Sequence, residues 1–310
     1  MKTNDENLKN ILEQALEKGK QKLPEGAVAT YIPELSKADK NSLGICVRTA
    51  DGTFAEVGDT STRFTIQSIS KIISLALALE ICGFDAVFSK VGMEPSGEAF
   101  NSLVELDLTS NKPFNPMINS GALTVTSLLH PELTFKQMME FSRKICMDPD
   151  ICLDEAVFQS EMMHISRNRA IAYLLESKGI IESGVEESLK LYTQMCALSV
   201  TAKSLANLGL ILASNGVHPE TGEQLLRPDT VKIVKTIMLT CGMYDGSGEF
   251  AVNVGIPTKS GVGGGLLSVA DGRMGIGVYG PSLDEKGNCI AGRPLLEYLS
   301  ETMKLHIFYR

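Results

Sequence analysis

The sequence predicts an α+β fold, an antiparallel sheet flanked by helices with an all-helical region inserted into it, and three observations predict it. Short apolar runs of strand length lie before Ser68 and again after Met243, whereas the long middle carries helical patterns. Two turn signals, Ala50-Asp51-Gly52 and Asp271-Gly272, each separate a pair of such runs in the manner of a hairpin. Between the ends, Ser70 to Ile81 is almost continuously apolar, which at that length suits a helix buried on most sides. Residues 1–83 and 240–310 are therefore expected to form one sheet domain and residues 84–239 a mainly helical one. The active site is expected at their interface.

The elements follow in order. Asn7 to Lys20 repeats apolar residues at Leu8, Ile11, Leu12 and Leu16, the spacing of one helix face, and Pro24-Glu25-Gly26 ends it. Leu43 to Thr49 and Thr53 to Val57 read as two strands. A third short apolar segment, Arg63 to Gln67, leads into Ser68 and the buried helix, which Gly83 is placed to stop. Helical patterns recur at Phe135 to Cys146, Asn168 to Ser177 and Ala202 to Ser214. Glu94-Pro95-Ser96-Gly97 and His218-Pro219-Glu220-Thr221-Gly222 mark loops between them. Gly265 to Ala270 and Met274 to Tyr279 flank the second hairpin turn, and Glu297 to Ile307 is again helical.

Composition narrows the class. The 310 residues are 44% hydrophobic and 21% charged, enough for a substantial core. A net charge of -8 gives no electrostatic reason to expect nucleic acid or an anionic membrane as partner. Met1 to Asn10 is polar and shows no secretory signal, and Ile72 to Gly83 is too short to span a bilayer and contains Glu80. A cytoplasmic protein is expected. Cys46, Cys82, Cys146, Cys152, Cys196, Cys241 and Cys289 are scattered without a CxxC pair and read as small buried apolar residues. His130, His164, His218 and His306 lack metal-ligand spacing, so no metal is expected.

The chemistry starts at Ser68 and Lys71. At i and i+3 on a helix, hydroxyl and amine share one face. Near a helix N-terminus the dipole opposes a positive charge on Lys71, and an apolar surrounding does the same by desolvation. A neutral amine can then take the serine proton, and the backbone N–H of Ser68 can serve an oxyanion. The bland alternative is a chance Ser-x-x-Lys, but a lysine in a buried helix is otherwise expensive. Late in the chain, Lys259-Ser260-Gly261 reads as a strand edge whose glycine lets it approach a substrate, with the Val262 N–H as second oxyanion donor. A plain glycine-rich strand end is the alternative, and Gly263-Gly264-Gly265 fits that too.

Taken together, the two motifs resemble the penicillin-recognising serine hydrolases, which include β-lactamases. A closer resemblance, to the serine-dependent glutaminases, is carried by several segments in fixed order. These are Ala29-Thr30-Tyr31-Ile32-Pro33-Glu34-Leu35, Ile66-Gln67-Ser68-Ile69-Ser70-Lys71 and Asn115-Pro116-Met117-Ile118-Asn119-Ser120-Gly121-Ala122. Met243-Tyr244-Asp245 through Lys259-Ser260-Gly261-Val262 completes the set. The resemblance runs from about residue 28 to 300 and implies a β-lactamase-like fold. It implies hydrolysis of L-glutamine to L-glutamate and ammonia through a glutamyl ester on Ser68, with Lys71 as base and Tyr244 as a proton relay. By the same resemblance, substrate contacts map to Tyr31, Gln67, Ser68, Asn119, Glu161, Asn168, Tyr192, Tyr244 and the backbone of Val262, with Lys259, Ser260 and Gly261 as supporting strand. A homodimer or homotetramer is implied, and no cofactor.

Elementary chemistry agrees with this set. Free glutamine is a zwitterion, so its site needs an anion for the ammonium and donors for the carboxylate. Glu161 can supply the first; Asn119, Asn168 and Tyr192 can supply the second. Each has a dull alternative: Asn119 as a helix cap, Glu161 as a solvated helix residue, Tyr31 and Tyr192 as core residues with an anchored hydroxyl. Tyr244 precedes the loop Asp245-Gly246-Ser247-Gly248, and a neighbouring cationic lysine is expected to favour its ionised form. Two other readings stay open, a related serine amidase or β-lactam-type acyl hydrolase, and a catalytically silent member of the fold.

Overall fold

The computed structural model describes residues 5–96, 112–130, 132–182 and 184–309. Gly97, the last residue of one predicted loop, lies outside the described residues, as do the first residues of the polar N-terminus.

Five strands form one antiparallel sheet in the order β2-β1-β7-β6-β5. They are β1 (Gly44–Thr49), β2 (Phe54–Gly58), β5 (Thr258–Ser260), β6 (Gly265–Ala270) and β7 (Met274–Tyr279). The predicted pairing of the two chain ends is direct: β1 meets β7 with Gly44 opposite Tyr279 and Thr49 opposite Met274. Both hairpins lie where the turn signals put them, and β5 is left at the sheet edge. The segment before Ser68 does not join this sheet. Phe64–Thr65 (β3) pairs instead with Ser199–Val200 (β4) as a separate two-stranded ribbon.

Helices cover both faces. On one side α1 (Asp5–Lys20) packs on α12 (Gly292–Met303), burying Leu8, Leu12 and Leu16 with Leu295, Leu296 and Leu299. Each such side chain contributes about 1.5–3 kcal/mol when fully buried. The sequence placed this last helix at Glu297 to Ile307, several residues late at both ends. Pro294 falls in its first turn, where proline is tolerated, and Lys304 ends it in the left-handed conformation at φ 55°.

On the opposite face lies α9 (Ala202–Ala213), started by a capping box in which Thr201 accepts from Ser204 N and the Ser204 hydroxyl accepts from Thr201 N. Its approach to the sheet is unusually close because of β7. A Cβ at Gly275 or Gly277 would collide with the α9 backbone at Ala206, Leu210 or Ala202. Although α9 belongs to the middle of the chain, it thus packs on the sheet built from the two ends.

The remaining helices are α3 (Gly83–Lys90), α4 (Asn119–Leu129), α5 (Phe135–Ile145), α6 (Glu155–Met163), α7 (Ser166–Ser177), α8 (Val185–Cys196), α10 (Pro228–Cys241) and α11 (Ser247–Asn253). Many of them surround α2 (Ser70–Ile81), whose residues from Ser70 to Leu79 are all buried. It packs against α4 and α10. Gly83 ends α2 as expected, with φ +83°, but the chain restarts there as α3. The cysteine reading needs one correction. All seven are free, yet Cys152 is exposed and Cys82 half-buried because they fall in a loop and at a helix end. No helix among the described residues is long and apolar enough to cross a membrane.

Candidate active site

Ser68 sits in a 3-10 turn, Gln67–Ile69, and not in the helix itself; α2 begins two residues later at Ser70. The turn is anchored on one side by Ile66 N–H donating to Leu198 O at 2.8 Å. Gln67 holds φ +49°, a strained conformation for a residue with a side chain, and such strain concentrates at functional sites. The glycines of the late motif explain the other side. A Cβ at Gly261 would come within 2.8 Å of Ile66 O, and one at Gly263 would overlap Thr65 O. The expectation was that Gly261 makes room for substrate. What it makes room for is the backbone of the Ser68 turn.

Lys71 is wholly buried in the first turn of α2, and burial pulls its pKa down to about 8 against smaller opposing effects of Cys196 and Glu161. Its Nζ donates to Met117 O at 3.0 Å and to Asn119 Oδ1 at 2.7 Å. Two carbonyl acceptors match the two N–H groups of a neutral amine and leave its lone pair unengaged by them. Asn119 is therefore no helix cap: Ile118 holds the N-cap position of α4, and the Asn119 side chain turns to the site. Its Nδ2 donates to Asn168 Oδ1 at 3.0 Å, and Tyr192 OH donates to its Oδ1 at 3.3 Å.

A cavity of about 350 Å³ brings together Tyr31, Gln67, Ser68, Asn119, Glu161, Asn168 and Tyr192. Glu161 is buried rather than solvated. Burial raises its pKa to about 7, opposed by a hydrogen bond from Gln67 and the charge of Lys71. Its Oε2 has no hydrogen-bond partner among the described residues. Glu161 lines the cavity, and a buried carboxylate oxygen without a partner is a site for a cation. Tyr31 is no core residue: it is 55% exposed and forms the wall shared with a neighbouring cavity. Tyr192 is buried with its hydroxyl anchored, so core packing and site lining coincide in it.

Tyr244 departs most from its expectation. It lies in a 3-10 turn, Tyr244–Gly246, buried, with φ +54°. Its hydroxyl donates to Ser260 O at 3.4 Å, and the Ser68 side chain is near enough to act on its pKa. Lys259 Nζ does lie 4.5 Å from its ring centroid, but burial dominates and raises the phenol pKa rather than favouring the ionised form. Tyr244 is a neutral hydroxyl near Ser68. Val262 does not line the cavity of Ser68; it packs with Tyr244 and Leu283 and lines the adjoining cavity that shares Tyr31.

Sequence reading missed several neighbours, among them Asn115, His164, Arg167 and Cys196. Asn115 Oδ1 accepts from Met117 N–H at 2.9 Å and from Ile118 N–H at 3.3 Å, shaping the segment that presents the Met117 carbonyl to Lys71. His164 and Cys196 line the cavity. Their spacing was the available signal, since Glu161 and His164 stand at i, i+3 and Tyr192 and Cys196 at i, i+4. The Cys196 thiol is pushed up to about 12, by burial first and then by Glu161, so it stays protonated and is a poor nucleophile. Among the described residues, no group of three or more His, Cys, Asp or Glu is placed to hold a metal ion.

Comparison with known proteins gives the arrangement a family. The Glutaminase family profile matches residues 26–308. Glutaminase 2 of Clostridium perfringens is 50% identical over 305 residues, spanning 97% of this chain and 100% of that protein. A Fusobacterium nucleatum glutaminase is 51% identical with the same coverage. The structure of a probable glutaminase from Bacillus subtilis complexed with 6-diazo-5-oxo-L-norleucine superposes with a TM-score of 0.89 at 38% identity, covering 99% of each chain. A further structure shows the Bacillus subtilis glutaminase YbgJ in covalent complex with 5-oxo-L-norleucine formed by reaction with that diazo compound. Its TM-score is 0.88 at 38% identity, covering 97% of this chain and 100% of that one. The fold is β-lactamase-like, as these neighbours are, and the chain belongs to the glutaminase family of amidohydrolases.

Proposed function

We propose that this protein hydrolyses L-glutamine to L-glutamate and ammonia through a glutamyl ester on Ser68, at the seam between the sheet domain (residues 1–83 and 240–310) and the helical one (84–239). The observation that carries this reading is one cavity lined by both Ser68 and Glu161, whose carboxylate keeps one oxygen without a hydrogen-bond partner. A nucleophile and a cation site in so small a space suit an amino acid whose ammonium is gripped while its side-chain amide is attacked.

In the acylation step, Ser68 Oγ bonds to the side-chain carbonyl carbon as its proton passes to neutral Lys71. The oxyanion is received by the Ser68 N–H; the Val262 N–H can serve as second donor only if substrate also reaches the adjoining cavity that Val262 lines. The carbon–nitrogen bond then breaks. Tyr244 gives its proton to the departing nitrogen and is reprotonated from Lys71, so that ammonia leaves and the glutamyl ester remains. Water next attacks the ester and its proton goes to Lys71. The ester bond breaks, Ser68 regains a proton, and glutamate is released. Glu161 binds the ammonium; the Asn119, Asn168 and Tyr192 edge, with Gln67 and Tyr31, contacts the rest of the substrate.

Treating the protein with 6-diazo-5-oxo-L-norleucine and mapping the modified peptide tests the scheme. Label on Ser68 supports it, and label confined to Cys196 or another cysteine sinks it. Ammonia release from glutamine, asparagine and a chromogenic β-lactam separates the competing substrates.

A further inference from the structure

Among the described residues two lysines are buried, Lys71 and Lys259, and the hydrolytic scheme uses only the first. Lys259 has no exposed surface at all, in the three-residue edge strand β5. A buried amine is costly unless its N–H groups are all taken up. Where they go is specific. Nζ donates to Ser260 O at 2.6 Å and to Gly242 O at 3.3 Å, and it lies 4.5 Å from the centroid of the Tyr244 ring.

These contacts enclose Tyr244. Gly242 lies two residues before it and also accepts Ser260 N–H at 3.1 Å. A Cβ at Gly242 would overlap Thr258 O, so the chain entering the tyrosine turn runs hard against β5. Ser260 O is also the acceptor of the Tyr244 hydroxyl, at 3.4 Å. One amine therefore ties the backbone ahead of Tyr244 to the carbonyl that fixes its hydroxyl, with the ring lying over the amine. The turn it braces is strained, with Tyr244 at φ +54°.

We infer that Lys259 is a positioning residue for Tyr244, holding the phenol hydroxyl near Ser68. The inference rests on the proposed relay role of Tyr244. It assigns Lys259 no contact with substrate, and Lys259 does not line the cavity of Ser68.

A double-mutant cycle tests it. Lys259→Met fills the same space without an N–H donor. Gly242 O keeps Ser260 N–H and Ser260 O keeps Tyr244 OH, so no carbonyl is orphaned by the change. In the otherwise native protein, kcat on glutamine should fall about 10- to 100-fold with KM changed less than about threefold, the cost of a misplaced catalytic group. In a Tyr244→Phe background the same change should cost less than about threefold, because the hydroxyl it positions is gone. Equal losses in both backgrounds, or an effect confined to KM, overturn the inference. Lys259→Gln, which retains an N–H donor, should recover part of the rate, and it replaces the Met variant in the cycle if that variant does not fold. If Tyr244→Phe alone leaves kcat unchanged, the relay role fails first, and the positioning role with it.

Discussion

Asn119 Oδ1 stands 2.7 Å from Lys71 Nζ, so the side chain expected to bind substrate also orients the amine proposed as base. The amide cannot turn over, because its Nδ2 is committed to Asn168 Oδ1 at 3.0 Å and Tyr192 OH donates to the same Oδ1 at 3.3 Å. Asn168, Tyr192 and Asn119, proposed to face substrate, thus form one network with Lys71, the proposed base. Removing a member should disturb both binding and chemistry.

Asn119→Leu should lower kcat about 100-fold while Ser68 remains in place, because Lys71 loses an acceptor that fixes its direction. Asn119→Asp puts an anion beside the amine and favours its charged form, so the acidic limb of kcat should move to higher pH. Steady-state kinetics across pH checks both. An Asp variant with an unmoved limb would separate Asn119 from the base.

The pH dependence follows from two buried groups. Lys71, pulled down to about 8 by burial, must be neutral to accept a proton, so kcat should rise as pH passes through about 8. Glu161, pushed up to about 7 by burial, must be ionised to hold the ammonium, so KM should climb as pH falls below about 7. Both effects have the same sign and place the acidic limb of kcat/KM between about pH 7 and about pH 8. A profile flat between pH 6 and 9 would contradict them.

Glu161→Gln leaves the cavity shape and removes its charge. Losing one partner of a buried charge pair costs about 2–5 kcal/mol, so KM should rise at least about 30-fold. The variant should also lose the climb of KM below pH 7. Isothermal titration of an inactive Ser68→Ala protein with and without the change isolates the binding part.

Neighbouring residues of the Lys259-Ser260-Gly261 run should behave oppositely. The buried Ser260 hydroxyl has no partner at hydrogen-bond distance among the described residues and is only a minor influence on the Tyr244 phenol, so Ser260→Ala should lower kcat far less than Tyr244→Phe and leave the melting temperature equal or higher. A Cβ at Gly261 would stand 2.8 Å from Ile66 O, so Gly261→Ala should displace the Ser68 turn and cut kcat about tenfold or more. Thermal melts with glutamine turnover distinguish the two outcomes.

Legibility differed with the range of the interaction. The hairpin at Asp271-Gly272 could be read because its turn residues and flanking strands are contiguous. Helix α2 could be read because its burial is written as an almost continuous apolar run. The start of α12 could not, because the sequence pattern gives Pro294 the look of a break while the first turn of a helix accepts it. At the site, the Ser68–Lys71 spacing was visible as a local motif. The burial of Tyr244 was not, because the glycine-rich segment after it has the composition of an exposed loop.

By itself the sequence determined the α+β class, the sheet shared by the two chain ends, and the candidates Ser68, Lys71, Glu161 and Tyr244. All of these rest on residue type, periodicity and resemblance. Only the tertiary structure decided their electrostatics. The depressed pKa of Lys71, the raised pKa of Glu161 and the neutral Tyr244 come from desolvation by elements distant in the chain. Tertiary packing also decided that Gly261 serves the Ser68 turn and that Lys259 sits beneath Tyr244. The physical reason is common to all of them: charge state and close approach depend on which atoms surround a group in space, and no local pattern records that.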